Sequence, residues 1–363
     1  MDKTFQNEYA PTEVSHPGET LGGTLEALGM SQKELAARMG RPLKTINEII
    51  HGKTWITPET ALQLETVLRV PANFWLKRQS QYDEFLARKE QSEELAKHVS
   101  WLKNFPLKEM GAQFGFSLQK DSIEQVRQVL MFFGVASSAQ WEEYWNAVTV
   151  NYRKSDAFAS HAGAMAAWLR KGELDAQQIE CEEFDAQKLK DVLEEIRSLT
   201  IRPPEIFQPG MKELCAAVGV AHVLTPELPK TRVCGATRWL NSKKALLQQS
   251  SRYKWNDQFW FTFFHEAGHL ILHGRQDLIV EFPGGVRTKT EEEANRFAAD
   301  CLIDPDDFAE FVEEQAFSEK SVKLFAKARG IAPAIVVGRL QHDKLIRFNQ
   351  LNGLKEKFFW SFN

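Results

Sequence analysis

One short segment places two histidines and a glutamate at a spacing that suits metal chemistry. His265 and His269 lie four residues apart in an apolar stretch, and Glu266 directly follows the first histidine. Residues at i and i+4 share one face of an α-helix, so both imidazoles can reach a single ion. Glu266 then lies beside the open position of that ion, where a carboxylate can take a proton from water. The H-E-x-x-H spacing therefore predicts a Zn²⁺-dependent peptidase with Glu266 as its catalytic base.

A catalytic zinc uses three protein ligands, so a third must come from another segment. Glu291 and Glu293 are the candidates, in an acidic run that opens a later helical pattern. Glu291 shares a helix face with Ala294 and Ala298, and such small residues let two helices approach closely. Thr290 and Glu293 have capping-box spacing, which would turn Glu293 towards the helix start. We expect Glu291 to be the ligand and Glu293 the alternative. An acidic first turn that only faces solvent also fits the pattern.

Two helical patterns position these residues, one from about Asp257 to His273 and one from about Glu291 to Ile303. His273 ends the first pattern, and its role stays open between supporting the site, donating to a transition state and lying at the surface. Three β-rich runs precede the helices, at residues 221–224, 232–239 and 245–248. The paired prolines that follow Ile201 and Arg202 oppose helix and strand, so we expect a domain boundary there.

The apolar pattern of the N-terminal part predicts five short helices between about His16 and Arg88. Ser31 and Glu34 have capping-box spacing at the start of the second helix, and Thr57 precedes a proline at the start of the fourth. The third helix is expected to bury four apolar side chains, Leu43, Ile46, Ile49 and Ile50.

Removing those apolar side chains leaves a polar face on the third helix that can meet phosphates and base edges in a major groove. This face consists of Lys44, Thr45, Asn47, Glu48 and His51. Gln32 and Lys33, at the start of the second helix, suit contacts with the DNA backbone. The segment from Ser31 to Lys53 has a net charge of only +3, so we expect binding to a double-stranded operator to depend on a homodimer. A small bundle used for protein contacts alone is the alternative.

The bulk composition indicates a globular protein with more than one domain. At 363 residues the chain exceeds what one hydrophobic core usually organises. No stretch reaches the apolar length of a membrane span, and the N-terminus lacks the pattern of a signal peptide, so we expect a cytoplasmic protein with no membrane partner. The net charge of −4 argues against a protein that coats nucleic acid with its whole surface. The four cysteines form no CxxC pair, which argues against a cysteine zinc site.

These patterns together predict a multidomain, mainly α chain in three parts. Residues 1–90 form an all-α helix-turn-helix domain, residues 91–200 a helical connector, and residues 201–363 an α+β zincin-like metallopeptidase domain. The connector has no motif of known chemistry, and its tryptophans are expected to anchor packing.

Two longer segments resemble known protein families and make these predictions more specific. The motifs HEAGHLILH, EEEANRFAADCLI and IAPAIVVGRLQHD, within about residues 205–350, resemble the ImmA/IrrE family of metallopeptidases. The resemblance implies that His265, His269 and Glu291 bind the metal, that Glu266 is the base, and that a repressor is cleaved or inactivated. Asp304 departs from the apolar residues that the family has before its proline. Residues from about 16 to 86 resemble the HigA-like branch of the Xre/Cro helix-turn-helix family.

Two functions of different classes follow from these resemblances. The first is a DNA-binding transcriptional regulator whose zinc-dependent endopeptidase domain cleaves a repressor or antitoxin-like protein partner. The second is a HigA-like antitoxin or repressor that acts by binding DNA and a toxin, with a structural or vestigial zinc site. Glu266 favours the first, because a structural zinc has four closed ligands and no use for a general base.

Overall fold

The computed structural model describes residues 13–150, 162–252, 254–274, 278–281, 288–314 and 317–360. The chain divides into two compact units, Met1–His98 and Val99–Asn363, and each is described by itself. The expectation of a multidomain, mainly α fold with a small sheet in its C-terminal region is confirmed. The boundaries of the three parts, at residues 90 and 200, stay predictions. Within the described residues, no helix combines the length and the apolar character needed to cross a membrane.

The first unit contains the five helices expected from the sequence. They are α1 (Pro17–Ala27), α2 (Gln32–Met39), α3 (Leu43–Ile50), α4 (Pro58–Leu68) and α5 (Ala72–Ala96). The Ser31 and Thr57 side chains cap α2 and α4, as their spacing predicted. Their apolar faces meet in one core, which includes Leu21, Leu35, Ile46, Ile49, Leu64 and Trp75.

The apolar face of α3 is narrower than expected. Ile46 and Ile49 are buried, but Leu43 is 45% exposed and Ile50 is half-buried. The expectation that all four are buried was therefore wrong. At 3.6 residues per turn, Leu43 and Ile50 both lie to one side of the face that Ile46 and Ile49 define.

A histidine caps α1. The Nδ1 atom of His16 accepts a hydrogen bond of 2.8 Å from the backbone N–H of Gly18, and its ring meets that of Tyr82 edge-on. Burial lowers the pKa of His16 below its ordinary value of 6.5, although the charges of Glu19 and Asp83 oppose this shift. The cap requires the neutral ring, because a protonated Nδ1 has no lone pair to accept with.

We therefore expect α1 to lose stability as the pH falls below 6.5. From that pH downwards the unfolded chain binds a proton that the folded chain excludes, so the loss continues until the pH reaches the lower pKa of the folded state. Hydrogen exchange of residues 17–27, corrected for intrinsic exchange rates, measures the effect. His16→Ser keeps an acceptor that does not titrate and is expected to flatten the pH dependence. An unchanged slope in that variant would assign the effect to another group.

The second unit begins with a helical layer built around aromatic residues. After a 3₁₀ turn at Val99–Asn104 come α6 (Leu107–Phe114), α7 (Ser122–Phe133) and α8 (Ser138–Val150). Trp101, Phe105, Phe133 and Trp141 pack against one another at ring-centroid distances of 4.7 to 5.7 Å. The expectation that tryptophans anchor this region is confirmed by the burial of Trp101, Trp141, Trp145 and Trp168.

A four-stranded mixed sheet follows, reached through three further helices. These are α9 (Ala162–Gln177), α10 (Ala186–Ser198) and α11 (Pro204–Ala216), and Pro203 and Pro204 form the start of α11. The strands are β1 (Val220–Thr225), β2 (Gly235–Trp239), β3 (Ala245–Ser250) and β4 (Leu278–Glu281), in the order β1-β3-β2-β4. β1 pairs parallel with β3, and the other pairs are antiparallel. β2 begins three residues later than expected, because Arg232 has a φ of 50° that a strand does not allow.

Both faces of the sheet are covered. α9 packs on one face, where the amide of Gln248 donates to the Trp168 carbonyl at 2.8 Å and to Thr225 Oγ1 at 3.0 Å. Gly172 of α9 lies so close that an added Cβ would come within 2.0 Å of the Gln248 side chain. A helix from the region expected to be a connector is thus part of the packing of the sheet.

The other face carries α12 (Asn256–Leu272), the helix that contains the H-E-x-x-H residues. His222 of β1 hydrogen-bonds Gln249 at 2.8 Å, and Gln249 in turn donates to the Phe259 carbonyl at 2.9 Å. Burial lowers the pKa of His222 to about 4, so its ring is neutral at neutral pH. This polar link fixes α12 against the sheet.

Four more helices complete the unit: α13 (Lys289–Leu302), α14 (Pro305–Glu313), α15 (Glu319–Arg329) and α16 (Pro333–His342). The segment after α16 returns to the start of α12, where Lys355 Nζ bonds Asp257 Oδ2 at 2.5 Å and Asn256 N–H bonds the Glu356 carbonyl at 3.0 Å. The N-terminal end of α12 is therefore held by two adjacent residues of this segment.

Candidate metal centre and DNA-facing helix

The structure brings His265, His269 and Glu291 together. The Nε2 atoms of the two histidines are 3.0 Å apart, and Glu291 oxygens lie 3.2 Å from His265 Nε2 and 3.5 Å from His269 Nε2. All three possible ligand atoms lie within 4.8 Å of one another. Both histidines are buried, and Glu291 is partly buried. Two nitrogens and one carboxylate oxygen form the donor set of many catalytic zinc sites, so these residues fit Zn²⁺.

Close packing of α12 and α13 makes this cluster possible. Gly268 lies at the crossing, where an added Cβ would come within 2.9 Å of the Phe297 ring and 3.5 Å of Ala294 Cα. Ala294 and Ala298 are fully buried, as the spacing of small residues predicted. A larger residue at position 268 would separate the helices and move Glu291 away from the histidines.

The start of α13 differs from the expected capping box. Thr288, not Thr290, caps the helix, and its Oγ1 accepts from the Glu291 N–H at 3.2 Å. The helix begins two residues earlier than expected, so Glu293 is not turned towards its start. Instead Glu293 Oε2 lies 3.1 Å from His273 Nε2.

The local electrostatics favour the metal-binding forms of these groups. Burial, together with the neighbouring His265, lowers the pKa of His269 to about 3, although Glu291 opposes the shift. Burial alone would raise the pKa of Glu291, but its hydrogen bond to His265 and the neighbouring histidine charges lower it overall. A neutral imidazole and an ionised carboxylate are the forms that ligate a metal.

Glu266 lies on the same helix and is fully buried. Gly235 of β2 lies directly against its carboxylate, since an added Cβ would be 2.4 Å from Glu266 Oε1. The space for the carboxylate therefore depends on the missing side chain of Gly235, a long-range contact that the spacing of H-E-x-x-H does not reveal.

Gly235→Ala is expected to displace the Glu266 carboxylate without removing a possible ligand. The added methyl and a buried carboxylate cannot share this space. If Glu266 is the base that the sequence predicts, its displacement by about 1 Å can cost about 10²-fold in rate. Zinc content and cleavage rate should be measured together, with Ala236→Gly as the neighbouring control. Full cleavage activity in Gly235→Ala would contradict the placement of Glu266.

The DNA-facing residues expected from the sequence lie at the surface of the first unit. Lys44 and Asn47 are exposed on α3, His51 is exposed directly after it, and Thr45 and Glu48 are half-buried. Asn47 Nδ2 donates to Gln32 Oε1 at 3.4 Å, which joins α3 to the first turn of α2, where Lys33 is also exposed. The arrangement is that of two helices sharing one polar surface.

Two family models match the chain, one over each end. The first is a helix-turn-helix model that matches residues 24–75, and the second is the IrrE N-terminal-like domain, which matches residues 251–332. The chain joins a helix-turn-helix domain to an IrrE-like domain. The second match covers the two histidines, Glu266 and Glu291, and the resemblance expected from the sequence is confirmed. The family is one of metallopeptidase-like domains, which implies a metal.

Individual relatives match the helix-turn-helix domain. Virulence-associated protein A of Dichelobacter nodosus is 38% identical over 69 residues, which are 18% of this chain and 68% of that protein. The N-terminal part belongs to the same helix-turn-helix family. Among solved structures, an addiction module antidote protein of the HigA family from Coxiella burnetii is 34% identical, covering 23% of this chain and 94% of that chain, with a TM-score of 0.22. Antitoxin GraA is 27% identical, covering 24% and 95%, with a TM-score of 0.23.

Asp304, which departs from the family pattern, has a local role. Its carboxylate caps α14 by accepting from the N–H groups of Asp306 and Asp307, at 2.9 and 3.3 Å. The departure thus concerns a helix start and none of the possible ligands.

Proposed function

We propose that this protein is a DNA-binding transcriptional regulator whose IrrE-like domain is a zinc-dependent endopeptidase. Its substrate is a repressor or an antitoxin-like protein partner. The observation that carries the proposal is the cluster of His265, His269 and Glu291 on two helices, with the buried Glu266 beside the first histidine. A buried glutamate next to three possible ligands matches a catalytic zinc site, which keeps one position open.

Three of these residues would bind the metal, and the fourth would transfer protons. His265, His269 and Glu291 would hold Zn²⁺, which supplies a Lewis acid that polarises a carbonyl and makes water more acidic. Glu266 takes a proton from the attacking water and later passes it to the leaving amine. Burial of Glu266 keeps its carboxylate in one place during both transfers.

The metal centre is tested by the zinc content of the purified chain. We expect about one zinc per chain in the wild type and a lower content in His265→Ala and Glu291→Ala, because two of three ligands make an incomplete site. Glu292→Ala, at the exposed neighbour of Glu291, is the matched control and is expected to keep its zinc. Full zinc in Glu291→Ala would remove Glu291 from the ligand set.

The helix-turn-helix domain directs the protein to DNA in this proposal. Gln32, Lys33, Lys44, Thr45, Asn47, Glu48 and His51 would contact a double-stranded operator. A homodimer would read two half-sites about one helical turn apart, because one domain of modest charge makes few phosphate contacts.

A further inference from the structure

The two possible histidine ligands are held in different ways on the side away from the cluster. Their Nε2 atoms face Glu291, so their Nδ1 atoms face the surrounding protein. Nδ1 of His265 lies 3.0 Å from Oδ1 of Asn295 on α13. Nδ1 of His269 lies 3.0 Å from Nδ1 of His273, whose Nε2 lies 3.1 Å from Glu293 Oε2. One ligand therefore meets an amide, and the other meets a histidine that is itself paired with a carboxylate.

The hydrogen bonds from His269 through His273 to Glu293 can all run in the same direction. When Nε2 of His269 is the ligating atom, the ring proton is on Nδ1. This Nδ1–H group then donates to Nδ1 of His273. His273 then accepts at Nδ1 and carries its own proton on Nε2, which donates to Glu293. Each of the three groups keeps the protonation state that its neighbour requires. A carboxylate that orients an imidazole in this way fixes its tautomer and makes the ligand more basic.

The burial of the His273 side chain distinguishes this contact from an ion pair between two surface residues. The His273 side chain is only 6% exposed, although His273 directly follows the last residue of α12, whereas the Glu293 side chain is 45% exposed. A buried imidazole is costly to hold unless both nitrogens are bonded, and here both are. Glu293, the alternative ligand in the sequence, contacts His273 and is not part of the cluster.

We propose that His273 and Glu293 are a positioning pair that fixes His269 for zinc and thereby raises the zinc affinity of the site. The inference rests on the proposed metal centre, because it concerns how one of its ligands is held. Neither residue would itself be a ligand of the metal. His273 sets the tautomer and the ring orientation of His269, and Glu293 sets those of His273.

The test is the zinc dissociation constant of the full chain, measured by competition with a chelating indicator. His273→Leu removes the acceptor for His269 and is expected to weaken zinc binding by about 10- to 100-fold. Glu293→Ala is expected to weaken it less, since His273 remains. His273→Gln offers an amide oxygen to His269 and an amide N–H to Glu293, and is expected to recover part of the loss. Glu292→Ala is the control and should bind zinc as the wild type does. The melting temperatures of the metal-free variants identify any general loss of stability.

Different outcomes would contradict the proposed metal centre and the positioning role of His273 and Glu293. If the wild type binds no zinc, the proposed centre fails. If the wild type binds zinc and His273→Leu binds it equally well, the positioning pair alone is overturned. X-ray absorption of the zinc-loaded wild type is expected to show two imidazole ligands. Three imidazoles would make His273 a ligand and overturn its positioning role.

Discussion

Replacing Glu266 with glutamine is expected to leave zinc binding intact and to lower the rate of peptide cleavage by about 10²- to 10⁴-fold. Glutamine has the shape of glutamate and fills the same space beside Gly235, so the packing of α12 on the sheet should not change. Its amide cannot accept a proton from water or return one to the leaving amine. The ligands His265, His269 and Glu291 are untouched.

Two measurements check this expectation on one purified sample, the zinc content and the rate of cleavage of the partner. Glu292→Gln provides the same change of charge at an exposed position of α13 and should keep both values. Loss of zinc in Glu266→Gln would move Glu266 into the ligand set. Undiminished cleavage would require another base.

Replacing Lys44 and Asn47 together with alanine is expected to abolish specific operator binding, a loss of at least about 100-fold. Asn47 can make a bidentate contact with adenine, worth about 1–3 kcal/mol of discrimination. The Lys44 side chain is 85% exposed, and a lost phosphate contact weakens binding to all sequences and lowers the salt dependence. Ile46 and Ile49, which hold α3 in the core, are unchanged, so the fold should persist.

The DNA for this experiment is the duplex that the wild-type protein selects from a random library. A second double variant, Asn73→Ala with Lys77→Ala, removes the same residue types from exposed positions of α5 and serves as the control. Equal operator affinity of Lys44→Ala/Asn47→Ala and the wild type would remove α3 from the DNA interface.

The parts of the metal centre differ in how far the sequence could predict them. His265 and His269 were predictable because an i, i+4 spacing on one helix is a local property. Glu291 had to be chosen from an acidic run, and the small residues Ala294 and Ala298 indicated the helix face on which it lies. Gly235 and Asn295 were missed, because their contacts with Glu266 and His265 join segments distant in the sequence.

The predictions of the fold that were wrong or incomplete also have specific physical causes. Thr288 and Thr290 have the same capping ability, and local sequence does not distinguish between them. The two additional residues at the start of α13 therefore appeared only in the structure. Residues 162–177 have no motif, yet α9 covers one face of the sheet, since Gly172 and Gln248 fit each other across the interface. Complementary packing of this kind leaves no periodic signal in a single sequence.

In the proposed function, Glu266 and the metal centre cut a protein partner. The most direct test is co-expression of the wild-type chain, or of its Glu266→Gln form, with each repressor-like protein encoded beside its gene, followed by intact-mass spectrometry of that protein. We expect a shortened product with the wild type and only the full-length protein with Glu266→Gln. Equal gene derepression by both forms, without any fragment, would contradict it and leave an antitoxin-like binding protein in its place.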